Sequence, residues 1–302
     1  MAAADSRLNR RQFTAATLAT AVATVGAREL TAAEPAPGKR TFSAFIKFVQ
    51  SLRYGELAEK IAALGFDGVE VTVRKGGYIE PENAPRELPK LHQALAGQGL
   101  EITIATTDIL RADQPHAEAS LRAAADLGVA RYRLGFHKYD LERPLPEQLA
   151  AYSPVFDAIS ELNRRVGIAG MYQNHCGAES LGATLWDLHF LIKSYPPEQL
   201  GCVYDIRHAT VEAGEAWPAL YQLMKPHITA LSAKDFVWKD RRSANVPLGE
   251  GLVDPQFFRT LDPAFAGPIS VHVEYLDGED VAANLAALGR DLTTLRGWLN
   301  AR

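Results

Sequence analysis

A chain of 302 residues that is 47% hydrophobic can bury a large core, in one domain or two. A net charge of −4 and a pI near 6.1 give no basic footprint for nucleic acid or an anionic membrane surface. Two cysteines exclude a disulfide scaffold, and Cys176 and Cys202 fall at opposite ends of neighbouring predicted strands, too far apart to pair.

Residues 1–33 read as an export signal and processing region. Asn9-Arg10-Arg11-Gln12-Phe13 precedes an uncharged Ala/Thr/Val-rich run over 14–27, too short and too weakly apolar for a mature membrane helix. Basic residues before a short apolar run are the layout of a bacterial export signal. The paired arginines point to the twin-arginine route and a periplasmic or otherwise exported protein with no membrane span after processing. Residues 34–40 (EPAPGKR) form an aperiodic tether.

Residues 41–302 repeat one unit, a short apolar run followed by helical periodicity. The predicted strands cover 43–49, 68–73, 101–107, 131–136, 168–173, 201–205, 228–234 and 269–274. The predicted helices cover 55–64, 86–97, 117–127, 147–165, 184–193, 216–224, a short segment from 255, and 281–299. Glycines at 65, 128 and 167 sit where helix C-caps belong. Eight such units in about 260 residues predict an α/β fold, a single (β/α)₈ TIM barrel. An open doubly wound sheet is disfavoured because no Gly-rich phosphate loop follows the first strand. In the last strand, period two sends Val271 and Val273 to one face and Ser270, His272 and Glu274 to the other, as a filled barrel requires.

In such a barrel the chemistry gathers at the carboxyl ends of the strands. The residues there are Lys47, Glu70, Thr106, Asp108, His137, Gln173, Asn174, His175, Asp205, His208, Ser232, Lys234, Asp235 and Glu274. Structural roles compete for several of them. Asp205 could cap the next turn, Lys234 and Asp235 could form an internal ion pair, and His272 reads as core below the site. Tyr204 and Trp238 could stack on a sugar or simply pack, and Gly249 and Gly251 read as loop glycines needing φ > 0.

Asn174-His175, Asp205-x-x-His208, Lys234-Asp235, Gly249-x-Gly251-x-x-Asp254 and Glu274, in this order and on these strands, resemble the xylose-isomerase-like barrels, the sugar phosphate isomerases and epimerases. The resemblance covers residues 42–302. It implies a divalent metal such as Mn²⁺ at positions matching Gln173, Asp205, Ser232 and Glu274, with carboxylates serving as acid and base. Gln173 and Ser232 depart from the family's Glu and His, and neither is a strong ligand for a hard cation. The expected ligands are therefore Asp205, Glu274 and Gln173. The alternative is a metal-free site in which Lys234 supplies the positive charge.

The candidate catalytic residues are Glu274, His175, His208 and Lys234, and the candidate substrate-binding residues are Glu70, His137, Asn174 and Arg207. The expected activity is proton removal next to the carbonyl of a sugar or keto-sugar by an exported isomerase or epimerase. A lyase acting on 3-keto-glycosides and a non-catalytic sugar-binding barrel are the alternatives. The expected partner is a small carbohydrate, with homo-oligomerisation left open. The abasic-site endonucleases that share this barrel need a histidine-rich zinc cluster and a basic face, which eight histidines and a negative balance do not supply.

Overall fold

The computed structural model describes residues 40–276, 278 and 280–301; the expected export signal and the tether up to residue 39 lie outside them. In chain order the elements are β1 (Phe42–Phe45), α1 (Tyr54–Ala63), β2 (Gly68–Val73), α2 (Ala84–Ala96), β3 (Glu101–Thr107), α3 (Ala117–Ala125) and β4 (Arg131–Arg133). Then come α4 (Leu145–Val166), β5 (Ala169–Gln173), α5 (Trp186–Ile192), β6 (Leu200–Asp205), α6 (Ile206–Ala213), α7 (Trp217–Met224) and β7 (Ile228–Ala233). The chain finishes with β8 (Asp235–Lys239), β9 (Arg242–Val246), α8 (Gln256–Arg259), β10 (Ile269–Val271) and α9 (Val281–Asn300).

Eight parallel strands close into a barrel in the order β1-β10-β7-β6-β5-β4-β3-β2, as the (β/α)₈ pattern predicts. The helices present one apolar face each to the outside of the sheet. In α2, Ala84, Leu88, Leu91 and Leu95 recur at helical spacing and are buried, while the intervening polar residues face out. Gly167 ends α4 in the left-handed region at φ 80°, with its N–H donated to the Asn163 carbonyl at 2.8 Å.

Two departures from the expected elements have clear causes. Helix α6 starts directly at Ile206 because the Asp205 carboxylate accepts the His208 backbone N–H at 3.1 Å, an N-cap that leaves no room for a loop. The segment after β7 is an antiparallel hairpin, β8–β9, turned at Asp240 with φ 55°. Its base is fixed by the Asp235 carboxylate, which accepts the backbone N–H groups of Phe236, Gly249, Gly251 and Val253 at 2.8, 3.0, 3.1 and 2.9 Å. Asp235 is thus a loop anchor and not the ion-pair partner of Lys234. Gly249 does adopt φ 93°, but Gly251 is needed for space: a Cβ there would meet Asp235 Oδ1 at 2.2 Å.

Candidate active site

The barrel lumen is built in layers. Ile104, Met171, Val203 and Ala230, from four different strands, form a small buried apolar cluster inside it. Two residues further along each strand, on the same face, stand Thr106, Gln173, Asp205 and Ser232. Period two therefore converts an apolar floor into a polar layer, the register shifts of the β2–β3 and β6–β7 ladders falling before these positions. The residues expected at the rim converge because the strands close.

Asp205 is 0% exposed, and both its oxygens are engaged. Oδ1 caps α6. Oδ2 accepts from the Lys234 ammonium at 2.8 Å and from the Gln173 amide at 2.8 Å, and lies 3.6 Å from His208 Nε2. Asn174 holds the Asp205 backbone from the next strand, donating to its carbonyl at 3.0 Å and accepting its N–H at 2.7 Å. The Gln173 carbonyl oxygen faces the Arg133 guanidinium, so its amide nitrogen must face Asp205 and Ser232, the latter at 3.1 Å.

Lys234, 4% exposed, also reaches Glu274 Oε2 at 3.2 Å and His208 Nε2 at 3.0 Å. His208 therefore has a cation at each ring nitrogen, Lys234 at Nε2 and Arg207 2.9 Å from Nδ1. Burial pushes Lys234 down, but the Asp205 and Glu274 carboxylates outweigh it and hold the ammonium above its ordinary range. Burial likewise pushes Asp205 up, and Lys234 beside it brings the carboxyl below its usual value. Glu274 follows the same rule, with burial opposed by Lys234, His272 and Lys47, and ends at about 2. His208 is driven well below its ordinary value by burial and then by Lys234.

A second buried cluster lies on the β1–β4 side. The Glu70 carboxylate accepts from Thr106 Oγ1, pairs with His272 Nε2 at 2.9 Å and sits 3.7 Å from the Arg133 guanidinium. Burial opposes its ionisation, yet His272 and Arg133 hold it below the ordinary carboxylate range. His272 stacks on Phe45 with ring centroids 4.3 Å apart and lines the mouth. It therefore stands at the level of the site, not in the core beneath it.

These two clusters enclose a cavity of about 110 Å³ whose lining includes Arg133, Gln173, His175, Lys234, His272 and Glu274. A larger depression of about 440 Å³ shares Phe136 and His175 with it and continues past Cys176 and Lys138. His175 faces both, and burial followed by the Lys234 charge lowers its pKa, which keeps the imidazole neutral. Its ring lies 4.1 Å from that of His208.

The residues expected to bind substrate are placed less directly. Glu70 and Asn174 are buried behind the cavity and act on the groups that line it. His137 is packed among Tyr152, Phe156 and Tyr172, its ring centroids 4.7, 5.9 and 6.3 Å from theirs, and burial pushes its pKa down to about 4. Arg207 donates to Cys176 Sγ at 3.0 Å and to Ser243 Oγ at 3.0 Å, tying the hairpin to the site. Tyr204 is core, against Phe257 and Tyr221, and Trp238 is exposed on the hairpin.

The reading of strand ends passed over Arg133 and Cys176. A charge at the last lumen-facing position of β4 was the available signal for Arg133. Cys176 adjoins His175 in sequence, but its closeness to His208 arises only in the fold.

A divalent metal does not fit the position that the resemblance assigns to it. The space between Asp205 and Glu274 is spanned by the Lys234 ammonium, and Gln173 turns N–H groups, not a lone pair, toward that space. A different donor group, His175, Cys176 and His208, has ligand atoms within 4.8 Å of one another. There the Arg207 guanidinium lies 3.0 Å from Cys176 Sγ and 2.9 Å from His208 Nδ1, a fixed cation against the donors a metal would need.

Residues 58–295 match the family described as the xylose isomerase-like TIM barrel, most of the folded chain. The chain belongs to that family. No curated protein matches it by sequence. Among solved structures, this xylose isomerase-like barrel is similar to a probable 3-DHS dehydratase from Bacillus anthracis at 16% identity, covering 87% of this chain and 100% of that one, with a TM-score of 0.66. It is similar to a 3-keto-D-glucoside 4-epimerase from E. coli at 16% identity, with coverage of 86% and 99% and a TM-score of 0.62. It also resembles the IOLI protein with a binding zinc atom, at 13% identity, 86% and 98% coverage and a TM-score of 0.66. At these identities the likeness is one of fold.

Proposed function

We propose that this xylose isomerase-like barrel is an exported isomerase- or epimerase-type enzyme that removes a proton beside the carbonyl of a sugar or keto-sugar, with the Lys234 ammonium in place of a divalent metal. The observation that carries this reading is the seat of Lys234 Nζ, 2.8 Å from Asp205 Oδ2 and 3.2 Å from Glu274 Oε2. Removing an α-proton leaves an enediolate, and its charge needs a fixed positive group in a water-poor site. Lys234 is such a group. His175 is neutral, faces the cavity and serves as the base. Glu274, held at about 2 by its cation partners, is a weaker base, and its role is to orient the ammonium and receive it back after turnover. His208 Nε2, 3.0 Å from Lys234 Nζ, helps fix the position of the ammonium.

The family membership and the epimerase and dehydratase among its structural neighbours support this reaction class. The test is solvent deuterium entering ketoses and 3-keto-glycosides in D₂O, using chelator-treated full-length protein. Exchange without added metal is expected, with a loss of roughly 10²-fold or more in His175→Gln. Exchange accompanied by release of the aglycone identifies the lyase reaction. An absolute need for Mn²⁺ overturns the role given to Lys234, and no exchange with any substrate overturns the reading as a whole.

A further inference from the structure

Glu70 and His272 form a buried pair that the chemistry above does not use. The Glu70 carboxylate is 1% exposed; its Oε1 accepts from the Thr106 hydroxyl and its Oε2 from His272 Nε2 at 2.9 Å. An ionised carboxylate only accepts, so Nε2 of His272 carries a hydrogen. Phe45 stacks on the ring with centroids 4.3 Å apart, which fixes its plane. Nδ1 is the atom left over: it has no hydrogen-bond partner among the described residues, and His272 lines the cavity of about 110 Å³. A buried ion pair adds little stability over well-packed apolar side chains. A carboxylate that holds an imidazole by one nitrogen and leaves the other at a cavity is, by contrast, an arrangement suited to proton transfer.

His175 lines the same cavity from another wall. Its Nδ1 lies 3.2 Å from the Cys176 carbonyl, which only accepts, so in the neutral ring the lone pair is on Nε2. In the barrel order β10-β7-β6-β5, His272 follows β10, Lys234 follows β7 and His175 stands two residues beyond β5. The ammonium is thus set between the two imidazoles around the rim. Its partner Glu274 is near enough to interact with both rings. A carbonyl oxygen held on Lys234 therefore brings the adjacent carbon between His175 and His272, in a cavity too small to leave much room away from either.

Resting on the reaction assigned above, we infer that His272, positioned by Glu70, is a second catalytic residue and that the reaction inverts the carbon, with one imidazole on each face. His175 Nε2 takes the α-proton; the C–H electron pair becomes the enediolate double bond, and the carbonyl oxygen takes the negative charge beside Lys234. The protonated Nδ1 of His272 then gives its proton to the other face of the same carbon, and the carbonyl re-forms. Glu70 keeps the Nε2 hydrogen throughout, and its charge balances the imidazolium. Water resets both rings, and the reverse reaction exchanges their roles. This departs from the carboxylate acid and base that the resemblance implied, since Gln173 has no proton to exchange and Glu274 is paired with Lys234.

The experiment follows deuterium by NMR in D₂O, with full-length protein and each member of three epimeric pairs. These are D-fructose and D-psicose, D-tagatose and D-sorbose, and methyl 3-keto-β-D-glucopyranoside and its 4-epimer. The wild type is expected to invert at least one pair, with solvent deuterium in the inverted product from the first turnovers. In His272→Gln, inversion is expected to fall by roughly 10²-fold or more, while exchange persists in the one epimer whose α-proton faces His175. His175→Gln gives the mirror image, so its loss of exchange appears in one epimer only. Glu70→Gln weakens the His272 side alone. An inverted product that keeps the substrate's own hydrogen means that one group serves both faces and overturns the inference. So does a folded His272→Gln that still inverts, or that loses exchange from both epimers alike. The wild-type labelling needs no variant and stands even if His272→Gln unfolds the barrel. Exchange without inversion in the wild type sinks the second acid and spares the reaction; no exchange with any of the six sugars overturns both.

Discussion

At the scale of single residues, the site is governed by one buried cation and the oxygens around it. Asp205 is tolerated at zero exposure because Lys234, Gln173 and the His208 N–H together replace its lost hydration. Removing the cation strands the carboxylate. Lys234→Met is expected to cost about 3–5 kcal/mol at neutral pH, read by urea unfolding. The deficit shrinks on acidification, as the stranded carboxyl takes up a proton, and the double variant Lys234→Met/Asp205→Asn recovers much of it. A loss that stays constant with pH, or that Asp205→Asn deepens, contradicts the pairing. Glu70, Asp205 and Glu274 all have depressed pKa values. Their contribution to stability is therefore complete above the ordinary carboxylate range near 4 and is lost as pH falls through the lower, folded-state values.

Among the secondary elements, the hairpin β8–β9 links loop architecture to chemistry. Asp235 fixes its base, Ser243 on β9 receives Arg207, and Asn245 donates to the Glu274 carbonyl at 3.1 Å. The closest approach is at Gly251, so Gly251→Ala is expected to cost about 1–3 kcal/mol through overpacking. It should also speed amide exchange across residues 247–253, where the N–H groups bound by Asp235 lie. Unchanged exchange there means that Asp235 does not hold the loop.

Helix α9 carries a different signal. Asp291 is buried against the Tyr275 hydroxyl, at 3.0 and 2.9 Å to its two oxygens. Burial lifts its pKa to about 6, against the pull of Tyr275 and Arg290. A raised carboxyl stabilises the fold below its unfolded value and withdraws that support as pH climbs through about 6. The full swing is about 3 kcal/mol. Asp291→Asn should therefore melt higher than wild type at pH 7.5 and keep only about a third of that advantage at pH 4.5; an advantage equal at both values refutes the assignment.

Across the whole molecule, closure of the barrel does what no segment does alone. Glu70 and His272 are 202 residues apart in sequence and 2.9 Å apart in space. Asp205 ends β6 and Glu274 stands three residues past β10, yet both pair with the ammonium of Lys234, just past β7. The strands were readable because apolar β-branched runs with abrupt polar ends repeat eight times, and period two already separated Val271 and Val273 from His272 and Glu274. The hairpin was not readable, because its apolar run is only Phe236-Val237-Trp238 and the partner strand Arg242–Val246 is mostly polar. Helix α6 was hidden because its start depends on the Asp205 cap. Of the site, His175, His208, Asp205, Lys234 and Glu274 were visible as polar residues just past strand ends. Arg133 was not, since Arg131 and Arg133 share one face of β4 and only the closed barrel puts the second of them at the mouth.

The sequence by itself determined the eight-fold alternation, the family resemblance and the cast of ionisable groups at the strand ends, because those follow from local periodicity and residue chemistry. Only the tertiary structure decided how these groups are partnered: that Lys234 takes the place between Asp205 and Glu274, that Asp235 turns away to bind backbone, and that His137 is walled in by aromatic rings. Charge pairing depends on distances of a few ångströms between residues far apart along the chain, and those distances are fixed by strand register and barrel closure rather than by any local pattern.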